Sequence, residues 1–152
     1  MSPSITDDIP FGAVLSITSR ERFIFLNDRL LPLGLSFGQF PVLMRLSHEQ
    51  NIMQENLVRH YHLDKGTIAR AVKKLEAAGY IRRIVDPENR RAVRLFLTEK
   101  GDQIIPILRK IDREWDERVY AGLSPAERES VTSLMRRVAE NSHTTLKNTG
   151  EY

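Results

Sequence analysis

The sequence predicts a mainly α-helical fold that is interrupted once by a β-hairpin. Apolar residues recur at helical spacing along most of the 152 residues, and short β-type runs replace this pattern only between residues 81 and 97. Hydrophobic residues make up 41% of the chain and charged residues 28%, the proportions of an ordinary globular protein. A chain of this length forms one domain that buries a core of its own.

Two helices are predicted in the first third of the chain. The first covers about residues 9–31, with Asp8 as its N-terminal cap. Ser36 and Gln39 have the spacing of a capping box, so a second helix is expected from there to about residue 49. Pro41 lies just beyond the first turn of that helix and is expected to bend it.

Two further helices and the hairpin occupy the centre of the chain. A short helix over about residues 54–61 precedes Asp64, which is placed to cap a fourth helix that ends near Gly79. The β-type runs 81–85 and 93–97 flank a turn-rich segment, so they are expected to pair as a hairpin. A short helix, a tight turn, a second helix and a hairpin together describe a winged helix-turn-helix.

Two long helices are predicted after the hairpin. Thr98 is placed to cap the first, which runs to about residue 120 with an expected kink at Pro106. Ser124 and Glu127 have the spacing of a second capping box, and the helix that they open runs to about residue 141. The polar residues 142–152 are expected to fray.

Excess positive charge is confined to the central block, residues 59–94. This block carries ten basic and four acidic side chains, a net charge of +6, whereas residues 1–58 carry −2 and residues 95–152 carry −1. Such a block is the expected footprint of a nucleic acid, because neutralised phosphates supply most non-specific affinity. On charge alone, a solvated basic face is the alternative.

The fourth helix has the clearest pattern within this block. Ile68, Val72 and Leu75 form a stripe expected to be buried, and the opposite face alternates small residues with long cations. Small residues let a helix approach a DNA groove, arginine pairs guanine bidentately, and arginines on a loop suit a narrow minor groove. The predicted DNA-binding residues are Gly66, Thr67, Arg70 and Lys73 in the major groove, Arg90 and Arg91 in the minor groove, and Lys65, Lys74 and Arg94 on phosphates.

Other functional classes find little support in the sequence. The absence of cysteine removes disulfides, thiolate zinc sites and thiol-based sensing, and no cofactor is indicated. His60 and His62 are a weak metal pair, and solvent-facing histidines are the simpler interpretation, so no metal site is expected. No Gly-rich loop or isolated carboxylate pair indicates an enzyme. Without a membrane span or signal peptide, the protein is expected in the cytoplasm, away from membranes.

In order and spacing, these motifs resemble those of MarR-type transcriptional regulators. The family's wing pattern is Asp, any residue, Arg, five residues and Leu-Thr, and here it reads Asn89-Arg90-Arg91, five residues, then Leu97-Thr98. Arg91 thus takes the place of the family's wing arginine. Asn89 departs from the family's acidic residue, which usually steadies the wing. Asn89 can still hydrogen-bond the turn, and Asp86 is placed to substitute by pairing with one of the arginines.

The resemblance implies a homodimer that binds a pseudo-palindromic operator in double-stranded DNA, usually as a repressor. In many members a small phenolic or anionic effector weakens DNA binding, and Arg20 is the candidate here for an effector carboxylate. A surface ion pair with Glu21 or Asp28 is the commoner role for such an arginine. Two alternatives stay open, namely a winged-helix protein-interaction module and a sequence-neutral DNA-binding protein.

The resemblance also implies a division of the chain. Residues 10–142 would form a single domain, and its outer helices would bury their apolar side chains between two subunits. The large apolar residues that support this interface are Phe11, Phe23, Phe25, Ile104, Ile105, Trp115, Val131, Leu134 and Met135. The predicted parts are the helix-turn-helix at about 53–78, the wing at about 81–97, dimerisation helices at about 9–31, 98–120 and 124–141, and a polar tail at 142–152.

Overall fold

A computed structural model describes residues 5–149 of the chain, and their side chains through residue 146. The described residues are mostly helical with a small antiparallel sheet, as the sequence predicts, and they form two compact units that divide between Trp115 and Asp116. The elements are α1 (Phe11–Leu30), a 3₁₀ turn (Leu31–Leu33), α2 (Phe40–His48), β1 (Ile52–Met53), α3 (Gln54–Tyr61), α4 (Lys65–Ala77), β2 (Ile81–Val85), β3 (Val93–Leu97), α5 (Glu99–Val119) and α6 (Pro125–Thr149).

A short strand that the sequence does not indicate joins the predicted hairpin. β2 and β3 pair antiparallel, and β1 pairs with the other edge of β3, where Ile52 lies opposite Leu95. A strand of two residues is too short to show a period of two. Because β1 leads directly into α3, it ties the start of the helix-turn-helix to the wing.

One hydrophobic core organises the first unit. The stripe predicted on α4 is buried there, so that prediction is confirmed. Fully buried leucines from other elements belong to the same core, so packing rather than surface charge holds α4 in place. These leucines are Leu26 and Leu30 of α1, Leu43 and Leu46 of α2, Leu57 of α3, Leu95 of β3 and Leu108 of α5.

Three of the apolar residues predicted to face a second subunit belong to this core instead. Phe25 is only 8% exposed and packs on the Trp115 ring with centroids 5.4 Å apart. Ile104 and Ile105 of α5 are also buried. Amphipathic spacing shows that a face is covered, but not whether the same chain covers it, and the prediction is therefore wrong for these three residues.

The first two helices begin later than predicted. α1 starts at Phe11 with Pro10 at its N-cap, and Asp8 accepts a hydrogen bond from the Thr6 hydroxyl instead of capping the helix. α2 starts at Phe40, so Pro41 lies within the first turn, where its missing N–H is tolerated. The bend expected at Pro41 assumed that the helix begins before Phe40, which would have placed Pro41 beyond the first turn.

The Ser36 and Gln39 pair forms only half of the predicted capping box. Gln39 Oε1 accepts hydrogen bonds from Ser36 N at 2.8 Å and from Ser36 Oγ at 3.0 Å. The Ser36 hydroxyl does not cap the amide of Gln39, because that amide donates to the Ser36 carbonyl at 3.0 Å. The pair closes a turn just before α2 rather than opening the helix itself.

The caps predicted for the two C-terminal helices are confirmed. Thr98 Oγ1 accepts a hydrogen bond from Gly101 N at 3.1 Å at the start of α5. Ser124 N donates to the Glu127 carboxylate at 2.7 Å, and Glu127 N donates back to Ser124 Oγ at 3.3 Å. Hydrogen bonds to the carboxylate from the Ser124 amide and, to a smaller extent, from the Ser124 hydroxyl lower the pKa of the Glu127 carboxyl.

α6 continues through Thr149, well beyond its predicted end at residue 141. The polar side chains there remain compatible with a helix, because the hydroxyls of Thr144 and Thr145 donate to the carbonyls of Glu140 and Asn141. The predicted frayed tail is therefore helical over residues 142–149, and residues 150–152 lie outside the described part of the chain.

The hairpin meets α5 through a close backbone contact at Gly101. Thr98 N donates to the Tyr80 carbonyl at 3.0 Å, which brings the first turn of α5 onto that carbonyl. A Cβ atom at Gly101 would lie 2.1 Å from the same oxygen. No side-chain rotation relieves a clash with backbone, so the contact requires glycine.

This contact predicts that Gly101→Ala lowers the free energy of unfolding by about 1–3 kcal/mol, the range for overpacked sites. Gly12→Ala is the matched control, since Gly12 also lies in the first turn of a helix but has no neighbour within 4 Å of an added Cβ. Urea unfolding at one protein concentration measures both variants. Equal free energies of unfolding for the two variants would contradict a close contact between Gly101 and the Tyr80 carbonyl.

Candidate nucleic-acid interface

A tight turn holds α4 behind α3, as the sequence predicts. α3 ends at Tyr61, and the residue that caps it, His62, has a left-handed φ of 51°. α4 begins at Lys65, directly after its N-cap Asp64. The Tyr61 hydroxyl donates to the Pro41 carbonyl at 2.9 Å, which fixes the end of α3 on α2. Burial raises the pKa of the Tyr61 hydroxyl, and the charge of Arg45 opposes this rise.

The two faces of α4 differ as expected for a helix that packs on one side and binds on the other. Ile68, Ala71, Val72 and Leu75 are buried. On the opposite side the predicted major-groove and phosphate residues are exposed, apart from Thr67, which is half-buried. These residues are Lys65, Gly66, Thr67, Arg70, Lys73 and Lys74.

The N-terminal cap of α4 is more extensive than the predicted one. Asp64 Oδ1 accepts from Thr67 N at 2.8 Å, and Asp64 Oδ2 accepts from Thr67 Oγ1 at 2.5 Å. Arg70 Nη2 in turn donates to Thr67 Oγ1 at 3.0 Å. The hydroxyl and amide of Thr67, together with the charge of Arg70, hold the pKa of the exposed Asp64 carboxyl below its ordinary value.

Local hydrogen bonds shape the wing tip. Asn89 Oδ1 accepts from Arg91 N at 3.1 Å, so Asn89 hydrogen-bonds the turn as the sequence analysis anticipates. Asp86 Oδ1 accepts from Glu88 N at 2.9 Å, and within residues 5–146 no ion pair joins Asp86 to either arginine of the tip. The predicted pairing is wrong because Asp86 is engaged in its own turn. Arg90 and Arg91 are exposed.

Three basic residues of the hairpin strands have other contacts. Arg94 is half-buried in β3, and its Nη1 donates to Asn51 Oδ1 at 3.4 Å. Arg83 pairs with Glu76 at 2.7 Å, and Arg82 lies 4.7 Å from the centre of the Phe96 ring. Arg94 is therefore set back from the exposed arginines of the tip.

A cleft connects α4 to the wing at the start of α3. Its volume is about 400 Å³, and Lys65 and Arg91 both line it although they are far apart in sequence. Gln54 lines the same cleft and was not predicted as a site residue. No local spacing signals it, because only the tertiary fold brings the start of α3 to the wing.

A second cavity, of about 510 Å³, combines aromatic rings with cationic side chains. Arg20 does not line it: this side chain is 64% exposed on α1, and its Nη2 lies 3.8 Å from the Glu21 carboxylate. No local spacing signals this cavity, because four helices and the turns before α2 and α4 contribute to it. Its lining consists of Arg22, Phe37, Phe40, Pro41, Met44, Arg45, His48, His60, Tyr61, Leu63 and Asp112.

Within the described residues, no three side chains of the metal-binding types come together, and His62 does not line the cavity that His60 lines. None of the helices in residues 5–149 combines the length and apolar character needed to cross a bilayer.

An exposed basic helix behind a tight turn, beside a small sheet with arginines at its tip, defines a winged helix-turn-helix protein. The MarR family model matches residues 35–93. An HTH-type transcriptional regulator of Bacillus subtilis, YybA, is 37% identical over 115 residues, which are 76% of this chain and 77% of that protein. The chain belongs to the MarR family of transcriptional regulators, which is not an enzyme class.

Solved structures agree with this assignment. A MarR transcriptional regulator from Methanosarcina mazei is 38% identical with a TM-score of 0.79, and the match covers 88% of this chain and 96% of that one. A MarR-family regulator from Listeria monocytogenes, solved with a 26-mer DNA, is 28% identical with a TM-score of 0.86. That match covers 94% of this chain and 95% of the Listeria chain.

The cap of α4 predicts a pH-dependent contribution to stability. Because the pKa of Asp64 is lowered in the fold, its stabilisation is present above the ordinary pKa of 3.8 and is lost as the pH falls through the lowered value. Asp64→Ala is therefore expected to lower the melting temperature at pH 7, and the difference from wild type should shrink below about pH 4. Asp7→Ala, which removes the same charge away from α4, is the control. A difference that stays constant with pH would contradict this role of the cap.

Proposed function

We propose that the chain is a homodimeric, sequence-specific DNA-binding regulator that acts as a repressor in the cytoplasm. The observation that supports this most directly is the exposed face of α4, where cations alternate with small residues beside the wing. Residues 10–142 would act as one functional domain, with helix-turn-helix and wing on DNA and α1, α5 and α6 in the dimer. The Listeria relative solved with DNA supports the same use of the fold.

Each part of the basic surface has its own role in this proposal. Gly66, Thr67, Arg70 and Lys73 face base edges in the major groove, because the buried stripe points the opposite side of α4 outward. Arg90 and Arg91 enter the minor groove, where the potential is most negative. Lys65, Lys74 and Arg94 contact phosphates, which position the protein without reading sequence.

Exposed apolar side chains support a dimer. Phe11 of α1 is 58% exposed and Leu134 of α6 is 56% exposed. Leu15 and Ile24 on α1 and Val131 on α6 are exposed as well. These large exposed apolar groups on α1 and α6 favour a second subunit as their cover. Two-fold symmetry would then place two α4 helices about 34 Å apart, one turn of DNA.

The 510 Å³ cavity is our candidate effector site. Arg22 and Arg45 offer planar donors for a carboxylate, and the rings of Phe37, Phe40 and Tyr61 suit an aromatic body. Tyr61 and Leu63 directly precede the cap of α4, so an occupant that displaces them changes the position of α4. Arg20, on the surface of α1, is the second candidate for the carboxylate.

A fluorescence-anisotropy titration tests the proposed function. The DNA is the segment upstream of the coding region, compared with a shuffled duplex between about 50 and 200 mM salt. We expect a specificity ratio of about 10³ or more and a steep loss of affinity with salt. Salt dependence without sequence preference would support a sequence-neutral binder. No binding at low salt would contradict DNA binding and favour a protein-interaction module.

Variants separate base reading from phosphate contact. Arg70→Ala is expected to lose about 10- to 100-fold in discrimination at particular base pairs, the range for one bidentate contact. Lys74→Ala, the matched control on the same helix, should weaken all duplexes alike and reduce the salt slope by about one. The same titration measures both variants. Equal losses of Arg70→Ala on specific and shuffled DNA would contradict the assignment.

A hydroxybenzoate probes the effector site. We expect it to weaken operator binding, and Arg22→Ala to raise the concentration required by about tenfold or more, because a charge-assisted hydrogen bond is lost. Arg20→Ala, two residues away on α1, should leave that concentration unchanged. If Arg20→Ala instead raised the required concentration and Arg22→Ala left it unchanged, Arg20 would be the residue that binds the hydroxybenzoate carboxylate.

A further inference from the structure

The first turn of α4 links a carboxylate to the arginine assigned to base reading. Arg70 Nη2 donates to Thr67 Oγ1, and the same hydroxyl donates to Asp64 Oδ2. The second oxygen of Asp64 accepts the backbone N–H of Thr67 at 2.8 Å. This second hydrogen bond fixes the Asp64 carboxylate to the backbone of α4. Asp64 and Arg70 are nevertheless exposed, and Thr67 is half-buried.

Gly66 leaves the space that this arrangement needs. A Cβ atom there would lie 3.1 Å from Asp64 Oδ1 and 3.2 Å from Arg70 Nη1, closer than ordinary van der Waals contact. Glycine is a poor helix former, so its place in the first turn of α4 does not serve helix stability. The Asp64 carboxylate and the Arg70 guanidinium therefore both lie next to the position that a Cβ atom of residue 66 would occupy.

We propose that Asp64, Thr67 and Gly66 are positioning residues that set the direction of the Arg70 guanidinium, which reads the base. This inference rests on the proposed function and adds a division of labour within it. Thr67 acts through Arg70, because its hydroxyl hydrogen is engaged with Asp64 and one lone pair accepts from Arg70.

The arrangement leaves Arg70 able to read guanine. A guanidinium has five N–H donors, and the bond to Thr67 uses one of them, so four remain and a bidentate pair needs two. An arginine already held in one direction loses less side-chain freedom on binding than a mobile one. The same constraint disfavours wrong bases, because the guanidinium cannot turn to meet a displaced acceptor.

Double-variant titrations test this division of labour. Wild type, Thr67→Val, Arg70→Ala and the double variant are titrated with the operator and with the duplex altered at the base pair where Arg70→Ala loses discrimination. We expect Thr67→Val to lower discrimination at that base pair about tenfold, and to have no further effect when Arg70 is already alanine. Thr67→Ser, which keeps the hydroxyl, should retain discrimination.

Additive losses in the double variant would overturn the proposal, because Thr67 would then contact a base itself. Retained discrimination in Thr67→Val would overturn it as well. A wild-type protein that shows no sequence preference would instead contradict the proposed function, so the two failures are distinguishable.

Two more variants separate positioning from folding. Gly66→Ala should keep or raise the melting temperature, because alanine favours a helix, and yet lower discrimination at the same base pair. Asp64→Asn keeps an equivalent cap but presents an amide N–H to the Thr67 hydroxyl, so it should lower discrimination too. Because loss of the Asp64 charge raises affinity for any DNA, the readout is the specificity ratio. Full discrimination in both variants would overturn the proposal.

Discussion

The apolar stripe of α4 fixes the orientation of the helix, and the rest of the interface depends on that burial. Ile68, Val72 and Leu75 are buried against leucines of the surrounding elements. Burial of each such side chain contributes about 1.5–3 kcal/mol, whereas exposed charged pairs contribute about 0–1 kcal/mol. Packing therefore decides which side of α4 faces inward, and the helical period places Arg70 and Lys73 on the outside.

The elements around α4 fix its position relative to α3 and the wing. The Tyr61 hydroxyl fixes the end of α3, and the Asp64 cap fixes where α4 begins. β1 ties α3 to the hairpin, and Gly101 lets α5 approach the Tyr80 carbonyl behind it. The relative placement of α4 and the wing tip thus follows from backbone contacts and burial, while the cations on them stay accessible.

Features encoded within a few residues could be predicted from the sequence. The caps at Asp64, Thr98 and Ser124 depend on spacings of three residues, and the structure contains all three. The predicted helix starts after Asp8 and at the Ser36–Gln39 pair were wrong because several neighbouring residues can open a helix, and the true start depends on packing. Phe25 was assigned to a partner because its periodicity does not identify the element that covers it.

Features that depend on tertiary placement left no local signal. β1 has two residues, the 510 Å³ cavity collects side chains from four helices, and the bond between Thr67 and Arg70 depends on side-chain rotamers. The basic block indicated DNA but could not show which of its cations were already engaged. Arg83, paired with Glu76, and Arg94, near Asn51, became distinguishable from the arginines of the wing tip only in the fold.

The central question is whether two symmetry-related α4 helices read DNA sequence through their exposed faces. The most direct test is to select bound duplexes from a random DNA pool at about physiological salt. We expect enrichment of an inverted repeat whose half-site centres lie about 10–10.5 base pairs apart, or a multiple of that spacing. We also expect Arg70→Ala to lose preference at one position of each half-site while the spacing persists. A bound pool that stays random, or an enriched motif without two-fold symmetry, would contradict sequence reading by a symmetric pair of α4 helices.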